Sequence, residues 1–202
     1  YTTLFRSGAT CLGIHAVTGC INIRIGRKCD IASGCFHAVA AIFGIHVGAG
    51  IAGSVQNNVG GISSNGVAAV QTLAVGGVNS GGSIPEAGAT VHAKGDLTVN
   101  GNAQGSTRSI FIYSGTDAGG KRNLLQIDGN LTATRTGGLY GAVIENTGGD
   151  LLVAGKTSLT SNVSDALRNG WDANSTFRGS TSINVSGSNG ILQSGGTVNF
   201  NG

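Results

Sequence analysis

The chain contains no methionine, one proline (Pro85) and one tryptophan (Trp171), and only 10% of its 202 residues are charged. Each shortage excludes something. A single proline rules out collagen and proline-rich linkers, although glycine is abundant at 37 residues, well above the usual share of about 7%. Sparse charge removes the electrostatic footprint of a nucleic-acid binder. The net charge is +3, and from residue 60 onward eight basic residues face eight acidic ones. The positive excess sits earlier, in Arg6, Arg24, Arg27 and Lys28 against Asp30. No stretch reads as a long, capped amphipathic helix. The apolar run at residues 38–53 is too short and glycine-rich for a membrane span. Behind Arg24, Arg27 and Lys28 it has the parts of an export signal, but Asp30 and His46 interrupt it and it starts too far into the chain. It is read as a buried or misread segment. Without methionine, the chain reads as a fragment or a processed piece.

Cysteine is confined to the start. Cys11, Cys20, Cys29 and Cys35 lie in residues 1–59, with His15, His37 and His46, and no cysteine follows. Their spacing lacks the close pairs that zinc requires, so no metal is expected, and two disulfides with three possible connectivities remain open. A cysteine-free remainder suits an exported protein. Residues 1–7 resemble translated sequencing-adapter sequence, so residues 1–59 are set apart as an atypical segment whose reading frame is in question. Residues 60–202 are treated as the repeat region.

What fills that region is one returning phrase: apolar, any, apolar, any, Gly. It reads Leu97-Thr98-Val99-Asn100-Gly101, Leu125-Gln126-Ile127-Asp128-Gly129, Leu151-Leu152-Val153-Ala154-Gly155, Ile183-Asn184-Val185-Ser186-Gly187 and Val198-Asn199-Phe200-Asn201-Gly202, with a looser copy at Leu73-Ala74-Val75-Gly76-Gly77. Alternation of apolar and polar residues is the period of a strand with one buried face, and glycine permits the turn that follows. The closing glycines fall 24, 28, 26, 32 and 15 residues apart. Such recurrence marks a solenoid, whose units bury their apolar face only against their neighbours. Further short strands are expected after Gly129, Gly155 and Gly187 and at residues 109–113 and 141–144, two or three per coil. Residues 115–122 and 164–178 are expected to leave the coil as loops. The fold class is therefore all-β, a right-handed parallel β-helix of the pectin-lyase-like kind. A last phrase without a polar cap predicts that the array continues past Gly202.

Stretches such as Gly95-Asp96-Leu97-Thr98-Val99-Asn100-Gly101 and Ser182-Ile183-Asn184-Val185-Ser186-Gly187-Ser188-Asn189-Gly190 resemble autotransporter passenger domains and filamentous-haemagglutinin-type exoproteins of Gram-negative bacteria. The resemblance covers roughly residues 60–202. It implies a secreted or outer-membrane-attached surface protein, a stalk or adhesin presenting binding loops to a host or neighbouring-cell glycan or protein, with a translocator barrel outside this stretch. No barrel-like run of long amphipathic strands is seen here.

Chemistry is sparsely signalled. No nucleophile elbow, phosphate loop or zinc-protease motif is present, and no cofactor is expected. The alternative function, a carbohydrate-active β-helix enzyme (a polysaccharide lyase or glycoside hydrolase), rests on Asp96, Asp128 and Asp150. It requires them to cluster on one face of adjacent coils. Asp96 and Asp150 recur in Gly-Asp-Leu, which reads as turn chemistry, so the chain is read as non-catalytic. Three aromatics are candidate binding residues: Trp171, Tyr113 and Tyr140. For Trp171 the competing expectation is that it covers the coil edge and packs on Phe177, because a large aromatic usually buries most of its surface.

Overall fold

The computed structural model is all-β, with no helix among the described residues. Backbone and side chains are described for residues 70, 72–76, 88–101, 108–137 and 141–202. Strands at 11–17, 20–25, 29–31, 34–41, 45–47, 51–52, 54–57, 61–64, 68–69, 77–78 and 85–86 are described by their backbone alone. The side chains of Cys11, Cys20, Cys29, Cys35 and Tyr140 lie outside the described residues.

The chain winds through three parallel sheets in fixed order. Face I stacks Thr72–Val75, Arg108–Ile112, Ala142–Asn146, Asp165–Asn169 and Ile191–Gln193. Face II stacks Thr90–Ala93, Leu124–Ile127, Asp150–Val153, Asn174–Phe177 and Thr197–Phe200. Face III stacks Ala68–Val70, Leu97–Gly101, Leu131–Arg135, Thr157–Ser161 and Thr181–Val185. One pass through the three is one coil of a parallel β-helix. The backbone pairings of faces I and II extend toward the start of the chain, where Cys11–Val17 pairs antiparallel with Cys20–Ile25.

Alternation in the sequence becomes an interior and an exterior. Parallel strands stack in register about 4.8 Å apart, so inward residues form columns of like on like. Leu73, Ile110, Ile144 and Leu167 make one column, and Val91, Leu125 and Leu151 another, all 8% exposed or less. Each buried Leu or Ile contributes roughly 1.5–3 kcal/mol, but only because the next coil covers it. Phe177 fills the column after Val153 and stacks on Phe200, ring centroids 5.2 Å apart.

The returning phrase does not sit on one face. Gly77 follows a face I strand, Gly101 closes one on face III, Gly129 and Gly155 follow face II, and Gly187 follows face III again. All three faces need the same alternation, so the sequence shows one motif where the fold has three. In register, Leu97 pairs with Leu131, 34 residues on, Leu131 with Thr157, 26 on, and Thr157 with Thr181, 24 on. The coils therefore shorten toward the C-terminus. The expected loop at 115–122 is present: Thr116 and Arg122 bridge, Gly120 N donates to Asp117 O, and residues 116–121 are all exposed. The loop expected at 164–178 is absent. Asp165–Asn169 and Asn174–Phe177 are ordinary strands of faces I and II, and the wide Gly155-to-Gly187 spacing that suggested an excursion counted glycines from two different faces.

Candidate binding site

Three kinds of corner join the faces, and they differ in what they display. Between faces II and III every described connection is three residues long with glycine in the middle: Lys94-Gly95-Asp96, Asp128-Gly129-Asn130, Ala154-Gly155-Lys156 and Arg178-Gly179-Ser180. These glycines stack backbone on backbone. A Cβ on Gly155 would lie 2.4 Å from Gly129 O, and one on Gly179 would lie 2.4 Å from Gly155 O. Around them the side chains tie one coil to the next: Asp96 Oδ1 accepts from Asn130 N at 2.7 Å, and Asn130 Oδ1 accepts from Lys156 N at 2.8 Å.

The corner between faces III and I is held by hydroxyls and one carboxylate. Ser161 Oγ accepts from Ser164 N at 2.9 Å. Asp165, 1% exposed, accepts from Ser188 Oγ and from Asn189 N in the next coil, and from Arg168 Nε at 2.5 Å. Burial raises its pKa, but the bonds from Ser188, Arg168 and the Asn189 backbone outweigh that and hold it at about 2.

The III–I connections differ in length, at 162–164 and 186–190, but the corner between faces I and II varies more, from 147–149 to 113–123. Beneath it lie buried asparagines. Asn146 Nδ2 donates to Gly149 O and Ser175 Oγ at 3.1 and 3.2 Å, and its Oδ1 accepts from Gly149 N at 2.9 Å. One coil on, Asn169 Nδ2 donates to Ala173 O and Gly195 O at 3.2 and 3.0 Å, and its Oδ1 accepts from Ser175 Oγ at 2.8 Å. With the turn anchored from inside, its outer residues are free to differ.

One of these turns is unlike its neighbours. The connections at 147–149 and 194–196 are three residues long; the one between them, 170–173, has four. It closes through Ala173 N donating to Gly170 O at 2.9 Å. Its outer corner is Trp171, 83% exposed, with φ at +52°, the only non-glycine residue with positive φ among the described residues. That conformation crowds a side chain bearing a Cβ. Arg122, reaching from the 115–122 loop, holds the turn: Nη1 donates to Asp172 Oδ2 at 3.0 Å, Nη2 to Asp172 O at 2.6 Å, and Nε pairs with Asp150 Oδ1 at 3.0 Å.

The expectation that Trp171 packs on Phe177 is overturned. Phe177 points into the core against Phe200, whereas Trp171 stands on a turn outside the face II strand that carries Phe177. Tyr113 occupies the same corner two coils earlier, about 10 Å along the axis, and its ring packs on Phe111 with centroids 4.0 Å apart. The guanidinium of Arg108 covers the Phe111 ring at 4.2 Å. The three aspartates occupy different places in the coil. Asp96 sits at the II–III corner before a face III strand, Asp128 at that corner after a face II strand, and Asp150 opens a face II strand. Asp96 and Asp150 share a sequence phrase but not a face. Asp128 pairs with His92 Nε2 at 2.7 Å and accepts from Gln126 Nε2 at 2.9 Å, bonds from Gln126 and His92 that lower its pKa.

A second surface lies on face III, where outward rows of hydroxyls and amides stack in register: Thr98, Thr132, Ser158 and Ser182, and beside them Asn100, Thr134, Thr160 and Asn184. A shallow groove of about 450 Å³ runs along its edge past Asp96, Asn130, Lys156 and Ser180. No group of three or more His, Cys, Asp or Glu side chains is placed to hold a metal among the described residues.

These features define a parallel β-helix solenoid that displays side chains at its most variable corner. Compared with known proteins, the chain matches no family model, no curated protein and no solved structure.

Proposed function

We propose that this chain is a stretch of a non-catalytic passenger or adhesin, a β-helical stalk carried on or released from the surface of a Gram-negative bacterium by a translocator barrel outside this stretch. The observation that carries the reading is the division of labour among corners. The II–III corner is closed by packed backbone and keeps one length, whereas the I–II corner varies most in length and carries the protruding 115–122 loop and the exposed Trp171. A rod built this way contacts partners along its edge rather than in an internal pocket. Asp96 and Asp128 share the II–III corner of adjacent coils and Asp150 lies apart on face II, but each is bonded to other groups, which favours adhesion over acid–base chemistry.

The test is adherence without turnover. The purified chain is applied to immobilised cell-surface polysaccharides and glycoproteins, and retention is measured beside release of reducing ends or unsaturated uronates. Retention with intact polymer is expected. Polymer cleavage would instead favour the β-helix lyase or glycosidase reading.

A further inference from the structure

We propose that the turn at residues 170–173 is a carbohydrate platform on which Trp171 stacks against the ring of a neutral hexopyranose. The proposal rests on the adhesin reading and gives it a ligand class and a site.

Three observations converge on the turn. The backbone at Trp171 is strained, at φ +52°, and an observed outlier of this kind in a bulky residue points to a use for the displayed side chain. The corners on the coils to either side are short and glycine-bearing, at Gly148-Gly149 and Gly195-Gly196, so the indole stands clear. A Cβ on Gly195 would meet Trp171 O at 2.4 Å, so the next coil fits against this turn through its bare backbone. The turn is also built and braced. Arg122 crosses from another coil to bind both the carboxylate and the carbonyl of Asp172.

The chemistry around the ring selects the ligand. A pyranose offers an apolar C–H face and a rim of hydroxyls; an exposed indole beside a carboxylate matches both. Asp172 is 71% exposed and gives only Oδ2 to Arg122, which leaves acceptor capacity beside Trp171 for sugar hydroxyls. The charges at the turn are one Arg122 against Asp150 and Asp172, a local balance that repels anionic polymers. A protein partner would want apolar neighbours around the aromatic anchor. The other exposed large hydrophobics among the described residues are Ile191, Leu192 and Phe200, on strands of the last coil rather than in this turn.

Trp171 is the chain's only tryptophan, so its fluorescence reports on this turn alone. Cellohexaose, chitohexaose and mannohexaose are titrated into the whole chain, with hexagalacturonate as the anionic counterpart. A saturable blue shift and protection from acrylamide with at least one neutral sugar, in the roughly millimolar range of a single-anchor site, are expected. Trp171→Ala should reduce retention on the matching immobilised polysaccharide about tenfold, Trp171→Tyr should keep part of it, and Arg122→Gln should weaken it with the indole still present. Trp171→Gly, the residue type best suited to this backbone, serves as the variant expected to fold and not bind. No spectral change with any of the three neutral sugars, a response to hexagalacturonate alone, or retention on a glycoprotein that survives removal of its glycans would overturn the proposal. If Trp171→Ala adheres as well as the parent chain, the site falls and the adhesin reading stands. If the parent chain adheres to nothing, both fall.

Discussion

The corner between faces II and III and the corner between faces I and II solve the same problem, a tight change of direction repeated every coil, by opposite means. The first is closed from outside by backbone contact. Gly129, Gly155 and Gly179 each lie so near the glycine of the preceding coil, or its immediate neighbour, that a Cβ would fall within 2.5 Å of it. The second is closed from inside, by Asn146 and Asn169 satisfying the turn's backbone from the core. A corner made of packed backbone allows neither insertion nor a large residue at its centre, and all four described copies are three residues long. A corner pinned from beneath tolerates change above it. Its copies include the four-residue turn of Trp171 and the long 113–123 connection, where Ile112 takes the asparagine's register place and Asn123 Nδ2 donates to Tyr113 O at 3.0 Å instead. Variation, and with it the capacity to bind, belongs to the second corner.

The comparison breaks most severely at Gly155. Gly155→Val places side-chain carbon within 2.4 Å of Gly129 O and 2.6 Å of Gly129 C, backbone that cannot rotate away. A loss of about 4 kcal/mol in urea unfolding is expected, at the exceptional end for one substitution. A loss below about 1 kcal/mol would mean that the glycine stack is not what closes this corner.

The inner anchor is tested next. Asn146→Ala leaves Gly149 N without the acceptor it has at 2.9 Å and Ser175 Oγ without its donor at 3.2 Å, in a place 1% exposed. Ser175 Oγ keeps its bond to Asn169 Oδ1, and the stranded Gly149 amide costs about 1–3 kcal/mol, so a loss of about 2 kcal/mol is expected. Hydrogen exchange should speed up first at residues 148–150, since the damage is local to the turn.

The third corner sharpens the contrast because it is held by charge. Asp165 has its pKa depressed to about 2, so its contribution is fully present above the unfolded value near 4 and is lost as pH falls through 2. The shift corresponds to about 2 kcal/mol. The advantage of the parent chain over Asp165→Asn should therefore be constant from neutral pH down to about 4 and shrink between about 4 and 2. Equilibrium denaturation across that range checks it. Gly155 lies against Gly129 and Asn130, and Asn146 against Gly149 and Ser175, none of which titrates, so Gly155→Val and Asn146→Ala should show no such window.

How much of this was legible in the sequence follows from the same physics. Alternation and a closing glycine identified strands and solenoid, because a period of two and a tight turn are local properties. The coil period was not legible. Two true members of the II–III series were missed: Val91-His92-Ala93-Lys94-Gly95 has a small second apolar residue, and Ser175-Thr176-Phe177-Arg178-Gly179 has serine in an apolar slot. That serine is buried because Asn146 and Asn169 bond it, a fact available only once coils are stacked. Copies from other faces, at Gly77, Gly101 and Gly187, filled the gaps and gave false spacings. Trp171 was noticed for its rarity, but its exposure depends on a one-residue lengthening of a turn and on Arg122 from 50 residues away, neither of which leaves a local mark. Asn146, Asn169 and Asp165 gave no signal in a chain so rich in polar small residues.

The smallest expected effect has the opposite sign. Replacing Trp171 by glycine removes a left-handed conformation that costs a residue with a Cβ about 1–2 kcal/mol. It gives back up to about 1 kcal/mol through the freer unfolded chain. Little apolar burial is lost, since the side chain is 83% exposed, and Arg122 keeps the Asp172 carbonyl it binds at 2.6 Å. The balance is a gain of about 0.5–1 kcal/mol, roughly 2 °C in Tm for a chain of this size, measurable by calorimetry. A residue kept for packing would show a loss instead, and a loss above about 1 kcal/mol would assign Trp171 to the scaffold and erase the distinction between the two corners. A gain means that the strained indole lowers the stability of the fold, which makes sense only for a side chain retained for what it touches outside the molecule.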